Sequence, residues 1–191
     1  LTIEWANRGV NMWTIDEGFV NLGQGTATYN LPADTIDLLE QVIRTNEGST
    51  TLQTDLNLSR ISVDNYASIP NKLTQGRPIQ CWVDRLRDQP TITVWPIPDQ
   101  GTVGVPYYIV RYWRLRRIQD AGAGVQTPDM PFRFFPALVA GLAYYIATKL
   151  PEGMPRLEML KAQYDEQYTL AAGEDREKAS EMLIPRLYGP R

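Results

Sequence analysis

A run of apolar residues between Arg133 and Lys149, FFPALVAGLAYYIATK, constrains the fold more than any other feature of the chain. Its composition predicts a helix from about Phe134 or Pro136 to Lys149, and Pro151 closes the run. The helix is apolar on nearly every side, yet it is shorter than the roughly 20 residues that cross a bilayer. We therefore expect a helix covered by protein on all sides, partners included, rather than a membrane span.

A second helix is predicted from about Pro155 to Ser180, and with the first it forms a helical hairpin over 134–180. Apolar residues recur at steps of three or four: Leu157, Leu160, Tyr164, Tyr168 and Ala171. Gly173 favours a bend or fraying, since an interior glycine costs about 1 kcal/mol relative to alanine. The last residues, 181–191, contain two prolines and a glycine, which predicts an extended arm.

The first residues, 1–15, are typical of the end of a longer helical part whose earlier helices are missing from this sequence. Leu1, Trp5 and Arg8 stand at helical spacing, and Gly9 is well placed to end the helix.

Residues 16–118 are predicted to form a β-rich insert. FVNL and TATYNLP, joined by GQG, indicate a hairpin between Asp16 and Pro32, and a third strand is expected within Ile36 to Thr45. Ser62 is a plausible N-cap for a short helix that Pro70 ends. Three further strands are expected in IQCWVDRL, TITVWPIP and VPYYIVRYWRL.

These strands are expected to make one antiparallel sheet or a small sandwich, and residues 119–133 have the composition of a linker. The fold class is therefore α+β: a helical scaffold that carries a β-rich insert and ends in an extended C-terminal arm.

Composition argues against catalysis. The chain has no histidine and a single cysteine, Cys81, which excludes histidine triads, cysteine-rich zinc sites and internal disulfides, so synthesis in the cytoplasm is expected. The adjacent carboxylates Asp16 and Glu17, or Glu174 and Asp175, do not face each other across a cleft and indicate a solvated surface. We predict no catalytic residue, no metal and no cofactor.

One segment carries concentrated positive charge. Between positions 84 and 117, six arginines stand against three aspartates and among several tryptophans and tyrosines; the arginines are Arg85, Arg87, Arg111, Arg114, Arg116 and Arg117. Such a segment could bind nucleic acid, with bases stacked on the aromatic rings, or form a subunit interface, where arginine and aromatic residues are enriched. The net charge of −3 favours the interface.

Four sequence segments, taken in order, resemble those of one protein family. They are NRGVNMWTIDEGFVNLGQGTATYNLP, ISVDNYASIPNKLTQGRPIQCWVDR, TVWPIPDQGTVGVPYYIVRYWRLRRI and PDMPFRFFPALVAGLAYYIATKLPE. From Trp5 to about Ser180 the chain resembles the head-to-tail adaptor proteins of short-tailed bacteriophages, which are related to tail tubular protein A.

The resemblance implies a helical bundle, with its N-terminal helices partly missing from this sequence, into which an antiparallel β-domain is inserted. It also implies a structural protein of the virion neck that forms a ring, commonly of twelve subunits. The ring binds the portal protein on one side and the tail nozzle protein on the other, and genomic DNA passes through its channel without sequence-specific binding. The C-terminal arm would hold the portal through Leu183, Ile184, Pro185, Arg186, Leu187 and Tyr188, because an apolar extended segment needs a groove to bury it.

Two other functions stay open at this point. The alternative reading is a nucleic-acid-binding module that uses the arginine and aromatic segment 82–117. A cell-wall hydrolase attached to the virion is disfavoured, since the sequence offers no credible pair of acid and base.

Overall fold

The computed structural model describes residues 1–9, 12–101, 107–119 and 127–175. The chain divides into two compact units: a helical unit of residues 1–12 and 128–191, and a β unit of residues 13–127. The combination of helices and sheets confirms the α+β class.

The helices and strands are bounded as follows. The helices are α1 (Thr2–Asn7), α2 (Val63–Ala67), α3 (Phe135–Ala147) and α4 (Leu157–Glu174). The strands are β1 (Ile15–Leu22), β2 (Thr28–Asn30), β3 (Thr35–Thr45), β4 (Thr54–Asn57), β5 (Ser59–Arg60), β6 (Gln80–Asp84), β7 (Thr91–Trp95) and β8 (Tyr108–Arg116). Short 3₁₀ helices cover Met12–Thr14, Phe132–Phe134 and Pro151–Arg156.

Trp5 lies at the centre of the helical unit. Its side chain is fully buried, and its indole Nε1–H donates a 2.9 Å hydrogen bond to the Tyr164 hydroxyl of α4. The indole ring also packs on Phe134, with ring centroids 5.5 Å apart. Helix α1 has only six residues, too few to be stable in isolation, so these contacts are what hold it.

Small residues form the inner face of α3. Ala137, Ala140, Gly141 and Ala147 are buried. A Cβ on Gly141 would lie 3.0 Å from a ring carbon of Tyr164, so a larger residue would separate α3 from α4. Because the inner face is filled by small side chains, the larger apolar side chains of α3 lie elsewhere on the helix.

Two four-stranded sheets share one hydrophobic core in the β unit. One sheet has the order β1-β8-β3-β4 and the other β2-β7-β6-β5. Leu22, Ile43 and Val110 of the first sheet join Cys81 and Ile92 of the second in this core. The predicted sandwich is therefore present, although β5 and β6 run parallel, which makes the second sheet mixed rather than wholly antiparallel.

The predicted hairpin of β1 and β2 is wrong. All of β1 pairs with β8, from Ile15 opposite Leu115 to Leu22 opposite Tyr108, whereas β2 pairs with β7. This register places Gly18 opposite Tyr112, where a Cβ would lie 2.6 Å from the tyrosine ring. Side-chain packing against a distant strand has outweighed the local turn signal in the GQG sequence.

Several other local predictions are confirmed. Gly9 follows α1 with a positive φ of 78°, and the Ser62 hydroxyl accepts a 3.2 Å hydrogen bond from the Asn65 amide at the start of α2. In α4 the predicted inner residue Tyr164 is buried. The helix continues through Gly173 and ends at Glu174, so the described residues show no break at the glycine. Residues 176–180 of the predicted helix lie outside the described part.

Cys81 is buried in the core of the β unit, and loss of hydration raises the pKa of its thiol to about 12. The side chain is therefore packed as a small apolar group, as the sequence predicts. Among the helices of the described residues, none combines the length and the apolar character that a membrane span requires.

We expect the Trp5–Tyr164 hydrogen bond to stabilise the helical unit. Trp5→Phe removes the indole donor from the Tyr164 hydroxyl, which retains a 3.4 Å hydrogen bond to Glu4, and Tyr164→Phe leaves the buried indole N–H without its acceptor. Each change should cost roughly 1–3 kcal/mol, and the double variant should cost less than the sum. Hydrogen exchange of α3 and α4 amides measures the loss, and Trp113→Phe in the β unit is the control. Equal exchange rates in Trp5→Phe and the control would contradict this role.

Candidate functional site

The six arginines of the basic segment all belong to the β unit, but they do not form one surface. Three lie on β8, two lie in the connection between β6 and β7, and Arg117 directly follows β8. Three of them, Arg111, Arg114 and Arg116, are held by ion pairs on the sheet. The other three, Arg85, Arg87 and Arg117, border a cleft.

Arg111 belongs to a network on one sheet. Its Nη1 donates a 3.1 Å hydrogen bond to Glu17, its Nη2 pairs with Glu47, and its guanidinium lies 5.4 Å from the centre of the Phe19 ring. The hydrogen bond to Glu47 is the main reason that the pKa of Arg111 is raised. Arg44 pairs with Asp55 in the same network. This pairing could not be predicted from the sequence, because it depends on strand register.

Arg114 and Arg116 bind aspartates of the same unit. Arg114, whose side chain is only 12% exposed, pairs with Asp34 and donates a 2.9 Å hydrogen bond to the Thr35 hydroxyl. Asp16 lies 3.5 Å from Arg114 and 3.0 Å from Arg116. The hydrogen bond from Arg114 holds the pKa of the Asp34 carboxyl below its usual range. These two arginines therefore stabilise the fold.

Arg85, Arg87 and Arg117 border a cleft of about 430 Å³, which we call the arginine cleft. The side chains of Arg85 and Arg87 are 64% and 97% exposed, and Arg117 is also exposed. Residues 33–36 and Leu86 complete the lining. Half of the predicted arginines thus come together at one place where they can reach a ligand.

The aromatic residues of this segment offer few open rings to nucleic-acid bases, and Tyr107, at 38% exposure, is one of them. Tyr108 and Tyr112 are buried in the core, at 4% and 2% exposure. The Trp82 ring stacks on Tyr66, with centroids 5.4 Å apart. Trp113 keeps an exposure of 38%. Base stacking needs open ring faces, and in the two buried tyrosines these faces are covered.

A second candidate surface lies on the helical unit. Val139, Leu142 and Ile146 stand at helical spacing on α3 and are 67%, 46% and 56% exposed. We call these three residues the α3 face. A groove of about 580 Å³ adjoins it, lined by Phe135, Pro136, Val139, Ala140, Ala143, Gln163 and Gln167. The sequence predicts that α3 needs apolar cover, but not which side is left open.

The predicted portal-binding residues 183–188 lie outside the described part of the chain, so their role stays a prediction. Three of the carboxylates weighed as catalytic groups are engaged: Asp16 with Arg114 and Arg116, Glu17 with Arg111, and Asp175 with Arg133. The predicted solvated surface is wrong for Asp175, whose side chain is only 1% exposed. Among the described residues, no group of three or more His, Cys, Asp or Glu side chains could hold a metal ion.

In the comparison with known proteins, the chain matches a protein-family model. The protein-family model described as SU10 adaptor protein matches residues 2–186, a range that takes in both the helical and the β unit. A search of curated proteins gave no match.

We expect Arg114→Gln to destabilise the β unit at pH 7 by roughly 1–3 kcal/mol, because it leaves the Asp34 carboxylate without its guanidinium partner, while Asp16 keeps Arg116. The depressed pKa of Asp34 gives stability that is present above the unfolded pKa, about 4, and is lost as pH falls through the folded pKa. The variant should therefore lose less stability than the wild type between pH 7 and acid pH. Urea denaturation at several pH values measures this.

Arg87→Gln is the matched control, since Arg87 is almost fully exposed and pairs only with neighbouring Asp88. If Arg114→Gln and Arg87→Gln unfold at the same urea concentration, Arg114 has no structural role.

Proposed function

The chain belongs to the SU10 adaptor protein family, and from this premise we propose that it forms a ring that joins the portal to the tail nozzle of a phage. The family comprises phage head-to-tail adaptors, which are structural rather than enzymatic components of the virion. The observation that carries the finer proposal is the exposed α3 face, an apolar surface on an adaptor that must assemble.

The α3 face supports contact between copies of this chain. Burying an aliphatic side chain completely contributes about 1.5–3 kcal/mol, so three half-exposed side chains offer a few kcal/mol when covered. Contiguous exposed apolar surface on a soluble subunit marks an interaction site. A closed ring covers such a surface on every subunit without leaving an open end.

A ring interface joins two different surfaces, so the α3 face needs a counterpart on the neighbouring copy. Helix α4 offers one. Met159 and Leu170 are 62% and 61% exposed, and their spacing of about three turns places them on the same side of the helix. We place the α3 face of one subunit against this side of α4 in the next.

The C-terminal arm is assigned to the portal. Leu183, Ile184, Pro185, Leu187 and Tyr188 supply apolar side chains, and Arg186 supplies a charge for a partner carboxylate. The helical unit of each subunit is part of a helical bundle and builds the ring, which commonly has twelve subunits. The inserted β unit meets the tail nozzle. Genomic DNA passes through the channel of the ring without sequence-specific contacts. The virion is short-tailed, and its subunits are made in the host cytoplasm.

The alternative, a nucleic-acid-binding module over residues 82–117, has less support from the structure. Arg111, Arg114 and Arg116 are ion-paired within the β unit, and two of the tyrosines are buried. Tight, salt-sensitive binding of DNA by the isolated protein, lost when the exposed Arg85, Arg87 and Arg117 are replaced, would favour this alternative.

We expect the double variant Val139→Glu with Ile146→Glu to prevent ring formation, because charges on the α3 face cannot be buried at an apolar interface. Native mass spectrometry of purified protein, alone and with portal, measures the subunit count. The matched control is Leu52→Glu with Leu73→Glu, which places the same charges at positions of 65% and 78% exposure in the β unit. Assembly that is unchanged by the α3 variant, or equally lost in the control, would contradict the assignment.

We expect a chain truncated before residue 181 to form rings but not to bind the portal, because the arm supplies the contact with the portal rather than the contact between subunits. Co-sedimentation with purified portal rings measures binding, and native mass spectrometry of the truncated chain checks self-assembly. Portal binding that survives the truncation would remove the arm from the proposal.

A further inference from the structure

The arginine cleft has walls that are fixed by backbone hydrogen bonds. The connection that carries Arg85 and Arg87 ends at Pro90, whose carbonyl accepts a 2.9 Å hydrogen bond from the Leu31 amide. The Arg117 amide donates a 2.8 Å hydrogen bond to the Asp34 carbonyl. The cleft is therefore preformed, and binding does not require these segments to be ordered first.

Two carboxylates near the cleft are already engaged by arginines outside it, and Asp88 makes a long, fully exposed contact of 3.7 Å with Arg87. Asp34 pairs with Arg114, and Asp37 lies 2.8 Å from Arg60. Arg85 adds only a longer contact of 3.4 Å to Asp37. The positive charge at the rim of the cleft thus exceeds what the local carboxylates neutralise, and it faces solvent.

Apolar side chains stand beside this charge. Ile36 and Leu86 line the cleft and are 40% and 51% exposed. A phosphate backbone would gain little from these aliphatic side chains. A peptide that carries both carboxylates and an aliphatic residue would use the positive charge and the apolar side chains together.

We propose that the arginine cleft is a docking site for an acidic segment of a partner protein. Carboxylates of the segment accept hydrogen bonds from Arg85, Arg87 and Arg117, and an aliphatic side chain of the segment packs against Ile36 and Leu86. Guanidinium–carboxylate pairs of this kind are directional and can be bidentate. The proposal goes beyond ring assembly and portal binding, and it does not depend on either.

The test uses the full chain and a fluorescein-labelled peptide of sequence Asp-Leu-Glu-Asp-Leu-Glu, blocked at both ends. Fluorescence anisotropy measures affinity, and methyl NMR of the wild type locates binding through the Ile36 and Leu86 signals. We expect Arg85→Ala with Arg87→Ala and Arg117→Ala to weaken binding by about tenfold or more. A peptide with serine in place of leucine should also bind more weakly.

The control variant removes the same number of positive charges from exposed positions outside the cleft lining: Lys72→Ala with Arg77→Ala and Arg156→Ala. It should bind the peptide as the wild type does. The proposal is overturned if the wild-type peptide does not shift the Ile36 and Leu86 methyl signals, or if both triple variants lose affinity equally. It is also overturned if a duplex oligonucleotide shifts these signals and the peptide does not.

Discussion

The burial of Trp5 is the constraint on which the helical unit depends. Its indole joins α1 to α4 through Tyr164 and packs on Phe134, so segments from opposite ends of the chain form one core. That core leaves room only for small residues, such as Gly141, on the inner face of α3. The larger aliphatic residues of α3 are consequently placed outward. The packing that stabilises the unit thus also produces the apolar face that we assign to assembly.

In the β unit, strand register determines which charged side chains pair with each other. Pairing β8 between β1 and β3 brings Arg111 to Glu17, and Arg114 to Asp34. These pairs leave positive charge at the rim of the arginine cleft, next to exposed aliphatic side chains. The two units therefore offer surfaces of different chemistry, one apolar and one basic, as a protein that joins unlike partners requires.

The sequence predicts elements that are specified locally. Periodic apolar residues predict α4, the Ser62 hydroxyl predicts the start of α2, and the run from Ile36 to Thr45 predicts β3. The hairpin prediction fails because β1 pairs with a strand more than eighty residues away, which no local pattern encodes. The division of the six arginines is missed for the same reason, since the partners of Arg111 and Arg114 are set by register. The open side of α3 depends on which of its residues fit against Tyr164.

A cryo-EM reconstruction of the virion neck tests whether this adaptor assembles through the α3 face. We expect a ring in which Val139, Leu142 and Ile146 of each subunit are covered by the neighbouring copy, near Met159 and Leu170 of its α4. A neck in which these three side chains face solvent or the DNA channel, with the contacts between copies made elsewhere, would contradict it.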